Sequence, residues 1–374
     1  VSRAGRRRKW AKQSSGLTRS AAGRRLPSTA DLAPFIANLW SFNVALSRYD
    51  RAAENAAALF HIASERNDAD VLLQAHHVEQ GNRAFRGEFV AADRHISAAL
   101  ALYDRARHAH HRYLYLGHDP GVCMLAIGAV MQSALGHLRG AVRREQEALA
   151  LARDLRHPPS LAHALWFVCE SQSARGDTAA VATAATELLA LSESQGLGLN
   201  RAFAVIFLGW ARACSGETTD GIARLSEGLA ALGGMGARMH LTRSFCLMAE
   251  SLLRAARYAE GLAYVERGLE IAAETGEGWY LARLYQVRGE LMLHLPIRDT
   301  GGAERSLRQA ITVARQQQAR LWQLRAATSL ARLWGEQGRR AEARELLAPV
   351  CRWFTEGFDT TDLRQAKALL DGLA

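Results

Sequence analysis

Two rows of charged and aromatic side chains recur in this 374-residue chain at steps of forty or so. One row runs His163, Phe203, Arg243, Arg283 and Arg325; the other follows seven residues later as Glu170, Trp210, Glu250, Glu290 and Arg332. Seven residues make two turns of an α-helix, so the members of each pair share a helical face. Arginine's planar guanidinium can hold a carboxylate or phosphate through two parallel hydrogen bonds. A face carrying Arg243, Arg283, Arg325 and Arg332 beside Glu250 and Glu290, with Phe203 and Trp210 as apolar neighbours, reads as a binding groove. Its ligand would be a peptide or a charged small molecule. Salt bridging between repeats on a solvated face accounts for the same pattern more plainly. On the groove reading, Arg243→Ala with Arg283→Ala removes ligand binding and spares the thermal midpoint.

Other reactive side chains do not assemble into a known catalytic pattern. His108, His110, His111 and His118 lie close to Cys123 and raise the question of zinc. Zinc needs a defined ligand geometry, often with cysteine, and Cys123 sits in a helix that should bury it. The segment is therefore read as a polar insertion loop, with no metal. No Gly-x-Ser-x-Gly elbow and no His-Glu-x-x-His helix occurs. No catalytic residue, cofactor site or metal site is assigned, and the chain is expected not to be an enzyme.

The elements that must position these rows are visible in a repeat. Ala52, Ala92, Ala141, Val181, Gly221, Gly261, Ala303 and Ala343 follow one another at intervals of 40, 49, 40, 40, 40, 42 and 40. Five of them have a glycine five residues earlier: Gly87, Gly136, Gly176, Gly216 and Gly338. Self-similarity at a period of roughly 20–50 residues marks a stacked-repeat architecture. Each unit reads as two antiparallel helices. In the fifth, Ala202, Val205, Ile206, Gly209, Trp210 and Ala213 form one apolar face, and Gly216 ends the helix. Asp220 is the expected N-cap of the next helix. Glycine inside a helix costs about 1 kcal/mol relative to alanine, so Gly221 and Gly261 need close helix approach to justify them. Val181 predicts a slightly splayed fourth pair.

The long interval places about nine extra residues in 104–119, followed by a helix start at Asp119-Pro120. Two more precede Ala303, in the turn 295–302. Pro349 should kink the last second helix, Gly357 should end it, and residues 361–374 should form a capping helix. The count is eight pairs and one cap.

Charge sets the N-terminus apart. The chain carries a net +10, yet residues 1–30 hold nine Lys and Arg and no acid, leaving 38 basic against 37 acidic residues beyond. Residues 1–30 are expected to be a basic disordered tail or linker, and 31–374 the repeat array. The Val1 start fits either an alternative start codon or the edge of a longer protein. The five cysteines show no C-x-x-C spacing and are expected buried and reduced in a cytoplasmic protein. No run of 18 apolar residues is present, so no membrane partner is expected.

The small residue, the glycine five before it and a second apolar position about seven after it (Ala99, Ala148, Leu188, Leu229) resemble the tetratricopeptide pattern. Further segments are more distinctive: Gly87-Glu88-Phe89, His118-Asp119-Pro120-Gly121-Val122, residues 326–334 and Trp353-Phe354-Thr355-Glu356-Gly357-Phe358-Asp359-Thr360. They resemble the C-terminal tetratricopeptide region of large bacterial signalling ATPases, whether linked to adenylate/guanylate cyclases or to transcriptional regulators of the LuxR/MalT type. The resemblance covers about residues 34–374, most specifically the last fifty, and leaves out residues 1–30. It implies an all-α, right-handed superhelical solenoid. It also implies a sensor or docking role toward a protein partner, such as an ATPase or cyclase module. The catalytic parts are missing. A Walker A loop needs lysine, residues 13–366 contain none, and Lys367 precedes Ala368 where Ser or Thr is required. No strand run could carry a cyclase's metal-binding aspartates. Two other expectations stand beside the scaffold: a charged small-molecule effector in the groove, and nucleic-acid binding confined to the tail of residues 1–30.

Overall fold

The computed structural model describes residues 32–373. The basic tail, and every expectation attached to it, lies outside the described residues. Within them the chain forms eighteen helices and no strand. Pair one joins α1 (Ala33–Ala45) to α2 (Tyr49–Arg66), and pair two joins α3 (Ala69–Phe85) to α4 (Phe89–Leu102). A short α5 (His111–Leu114) follows. Pairs three to five are α6 (Pro120–Leu135) with α7 (Leu138–Leu155), α8 (Pro158–Arg175) with α9 (Thr178–Gln195), and α10 (Gly198–Cys214) with α11 (Thr218–Gly234). Pairs six to eight are α12 (Leu241–Arg254) with α13 (Tyr258–Thr275), α14 (Leu281–His294) with α15 (Thr300–Gln316), and α16 (Arg320–Glu336) with α17 (Arg340–Trp353). The cap is α18 (Thr361–Gly372). This is an all-α right-handed superhelical solenoid of eight tetratricopeptide-like pairs.

Local chemistry sets the boundaries. Asp119 accepts from the Val122 N–H with Pro120 at the first helical position, and Asp68, Asp177 and Asp299 cap α3, α9 and α15 in the same way. The five recurring glycines all take positive φ, from 74° to 99°, a region where a Cβ costs energy. Two expectations need correction. Asp220 is not the cap of α11, which begins two residues earlier; it sits in the first turn and pairs with Arg212. The last second helix stops at Trp353, and Gly357 (φ 72°) turns the chain toward the cap.

First helices face the superhelix axis and second helices form the rim. In α6, 14 of 16 residues are buried, against five of 18 in α7. The axis itself is filled, because successive superhelical turns touch. The Ala45 carbonyl accepts from the backbone N–H groups of Arg238 (2.8 Å) and Met239 (3.2 Å). Forty residues on, the Phe85 carbonyl accepts from Gly278 (2.8 Å) and Trp279 (3.1 Å). Later in the array Arg325 donates to the Ala174 carbonyl at 2.6 Å, and the Arg139 N–H donates to Glu356 at 3.1 Å. The continuous groove expected from the repeat is therefore divided into separate chambers.

The insertion also departs from expectation. It is not a free polar loop: His108 and His111 are 1% and 2% exposed. His108 Nε2 lies 3.1 Å from Asp70, and the Gln74 amide reaches His111 at 2.8 Å. Side chains from α3 pin the segment inward, which its local polarity could not reveal.

Candidate functional site

Six of the eight sequence-predicted groove residues converge on one polar chamber of about 250 Å³. Trp210, Glu250, Arg283, Glu290, Arg325 and Arg332 line it, from α10, α12, α14 and α16. Arg175 and Arg254, at the ends of α8 and α12, and Asp362 of the cap complete its charged wall. Glu250 is the hub. Arg283 ion-pairs with it, and the Trp210 N–H donates to it at 3.0 Å. Burial alone would raise its carboxyl pKa, but Arg283, Arg254 and the Trp210 N–H hold it below the ordinary value. Ser329 and Gln286 donate to Glu290 at 2.6 and 2.8 Å. Arg325 holds Asp362 at 2.9 and 2.7 Å, and Arg175 holds Glu145 outside the chamber at 2.5 and 3.0 Å.

Two arginines form no ion pair with a carboxylate among the described residues. Arg254 donates only to the Glu250 backbone carbonyl at 3.0 Å, and Arg332 makes no hydrogen bond or ion pair among the described residues. Both are exposed. Two cations that face one chamber without a paired acid can meet an incoming anion with little reorganisation.

Phe203 and Arg243 do not join them. Both are fully buried. Arg243 lies between the rings of Phe203 (5.0 Å) and Phe207 (4.7 Å) and 2.9 Å from Glu170. It is a structural cation of the core and lies outside the polar chamber. Its contact with Glu170 lacks hydrogen-bond alignment, since neither Glu170 oxygen has a partner. Burial accordingly pushes the Glu170 carboxyl up to about 7 despite Arg243. Nearby Glu277 is also pushed up to about 7 by burial, although Thr242 and Tyr49 donate to it.

A second chamber of about 260 Å³ was not anticipated. Trp40, Phe85, Trp166, Phe167 and Trp279 give it an aromatic wall, and His77, His118, His163 and Cys123 a reactive one. Four buried polar atoms of its lining have no partner among the described residues: Gln80 Oε1, His163 Nε2, Trp166 Nε1 and Trp279 Nε1. Buried polar groups are nearly always paired, so such a cluster marks a place for a polar ligand or water. The nine-residue break in the period pointed to His118 and Cys123. Nothing in the sequence placed His77, Trp166 or Trp279 beside them, because superhelical closure brings these residues together.

No family model matches the chain. An uncharacterized protein of Rhizobium meliloti strain 1021 is 27% identical over 285 residues, which are 76% of this chain and 27% of that protein. The chain thus spans about a quarter of the relative's length. Among solved structures, a Rap protein complexed with competence and sporulation factor superimposes with a TM-score of 0.58 at 11% identity, covering 92% of this chain and all of that one. Aspartyl phosphate phosphatase F from Bacillus subtilis follows with a TM-score of 0.50 at 9% identity, over 88% and 95% of the two chains. A signal transduction ATPase with a tetratricopeptide repeat sensor from Pyrococcus horikoshii gives 0.45 at 14% identity, over 91% of this chain and 49% of that one. At these identities the first two likenesses concern the fold.

Proposed function

We propose that the chain is a non-catalytic interaction scaffold, the sensor or docking region of a bacterial signal-transduction ATPase or regulator. Its polar chamber receives an acidic group of the partner. The observation that carries this reading is the pair of arginines without an ion pair, Arg254 and Arg332, facing a chamber whose other charges are already paired or hydrogen-bonded. The Rap protein, which shares the fold, is complexed with a factor, and the longer Rhizobium relative leaves room for further modules. Both support a regulatory scaffold. A charged small-molecule effector is the second reading, favoured by the modest volume of the same chamber.

The test is fluorescence anisotropy of a labelled oligoglutamate peptide against the purified chain. Arg254→Ala with Arg332→Ala is expected to weaken binding by about tenfold or more, since hydrogen bonds to charged groups contribute about 1.5–3 kcal/mol each. The thermal midpoint should hold, because both side chains are exposed. Equal affinity of wild type and variant removes this reading. Competition by free dicarboxylates or organic phosphates at low concentration would favour the small-molecule effector.

A further inference from the structure

His77, His118 and Cys123 bring two imidazole nitrogens and one sulfur within 4.8 Å of one another at the wall of the aromatic chamber. They come from three places: the middle of α3, the end of the insertion, and the first turn of α6. His77 Nε2 and His118 Nε2 face each other at 3.3 Å. The His77 ring already uses its other hydrogen-bonding position. His77 Nδ1 lies 3.0 Å from the Gln74 carboxamide oxygen, which can only accept, so the ring proton is on Nδ1. A neutral imidazole has one N–H. With its proton on Nδ1, His77 turns a bare Nε2 toward His118 Nε2.

Two imidazole nitrogens at this spacing suit a shared cation. Two nitrogens at the usual zinc distance of about 2.0–2.1 Å, spread at a tetrahedral angle, lie about 3.3 Å apart. A sulfur ligand at about 2.3 Å would stand about 3.6 Å from each nitrogen. Cys123 Sγ needs to close in by no more than about 1.2 Å to reach it. The Gln74 amide on the far side of His77 is the kind of outer contact that fixes the tautomer of a metal-bound histidine. Gln74 is itself fully buried and tied to His111 by its amide nitrogen, at 2.8 Å.

We propose that His77, His118 and Cys123 bind one divalent transition-metal ion of the zinc class, with a fourth position open to the aromatic chamber. Nitrogen and sulfur donors exclude magnesium and calcium, which take oxygen. Three protein ligands with one open position is the pattern of a metal that holds an exchangeable group. His163 borders that position: its ring stacks on His118 at 3.8 Å, and its Nε2 has no partner among the described residues. A ligand seated between Trp40, Trp166 and Trp279 could place a nitrogen or oxygen donor on the metal. This site is separate from the polar chamber, and neither reading depends on the other.

Cobalt(II) titration of the chelator-stripped 374-residue chain tests the site. The expected result is one equivalent bound, with a near-ultraviolet sulfur-to-cobalt band, the visible bands of a four-coordinate ion, and displacement by zinc. Cys123→Ser should abolish the near-ultraviolet band, and His77→Gln should weaken binding by at least about tenfold. Asp70→Asn changes the neighbouring Asp70–His108–His111 cluster and should leave spectrum and stoichiometry alone. A wild-type spectrum without a sulfur band overturns the site, whether or not the variants fold. So does a folded Cys123→Ser or His77→Gln variant with wild-type stoichiometry and spectrum.

Discussion

Arg243 shows how burial reassigns a side chain. Its position in the row suggested a ligand contact that could be removed without loss of stability. In the folded protein it is 0% exposed, between two phenylalanine rings and beside Glu170. Arg243→Ala leaves a buried carboxyl without its cation, at a cost of about 3–5 kcal/mol. Urea unfolding at pH 8 should show that loss, and the loss should shrink below pH 5, where Glu170 is protonated. Glu277 offers a cleaner test. Its folded pKa of about 7 lies above the ordinary 4.5. Between those values the unfolded chain releases a proton that the folded protein keeps, so stability falls as pH rises through this window and is level above it. Buried histidines such as His118, pushed down to about 4, act oppositely, gaining stability as pH rises toward the ordinary 6.5. Comparison with Glu277→Gln, an isostere of the protonated acid, isolates the carboxyl. The variant should match wild type at pH 4.5 and exceed it by up to about 3 kcal/mol at pH 8. Equal thermal midpoints at pH 8 would show that Glu277 ionises without penalty.

Helix packing explains why the repeat keeps small residues at one register. A Cβ added at Gly221 would lie 2.5 Å from the Gly209 carbonyl oxygen and 2.6 Å from the Ala213 nitrogen. Both are backbone atoms of α10, so the helices must part. At Gly261 the nearest atom would be the Leu291 Cδ2, at 2.8 Å, the tip of a side chain that can rotate. Gly221→Ala should therefore destabilise by about 1–3 kcal/mol. Gly261→Ala should be close to neutral, since alanine's helix preference of about 1 kcal/mol offsets the adjustment. Equal thermal midpoints for the two variants would refute this distinction. The insertion obeys the same logic: α5 and its histidines fold inward because α3 presents Asp70, Gln74 and His77 to receive them.

At the scale of the whole molecule, superhelical closure changes what a repeat protein does on unfolding. An open array is held by nearest-neighbour contacts and can unravel from its ends. Here Ala45 binds Arg238 and Phe85 binds Gly278 across a full superhelical turn, and Arg325 links Ala174 to the cap residue Asp362. Loss of one pair removes support from pairs far along the chain. Urea unfolding followed by tryptophan fluorescence and by far-ultraviolet circular dichroism should give superimposable single transitions. Separate midpoints would show that the turns unfold independently.

The pattern of residues by itself determined the eight pairs, the cap, the turn glycines and the place of the insertion. These follow from helical periodicity and local backbone preference, which act over a few residues. It also brought Glu250, Arg283, Glu290, Arg325 and Arg332 onto one register. Tertiary structure alone decided that Arg243 and Phe203 leave that register for the core. It alone left Arg254 and Arg332 without an ion pair among the described residues and carried His77 to His118 and Cys123. The physical reason is the pitch of the superhelix. Small angles between pairs add up over about five repeats until distant turns touch, and no local pattern encodes which residues then meet.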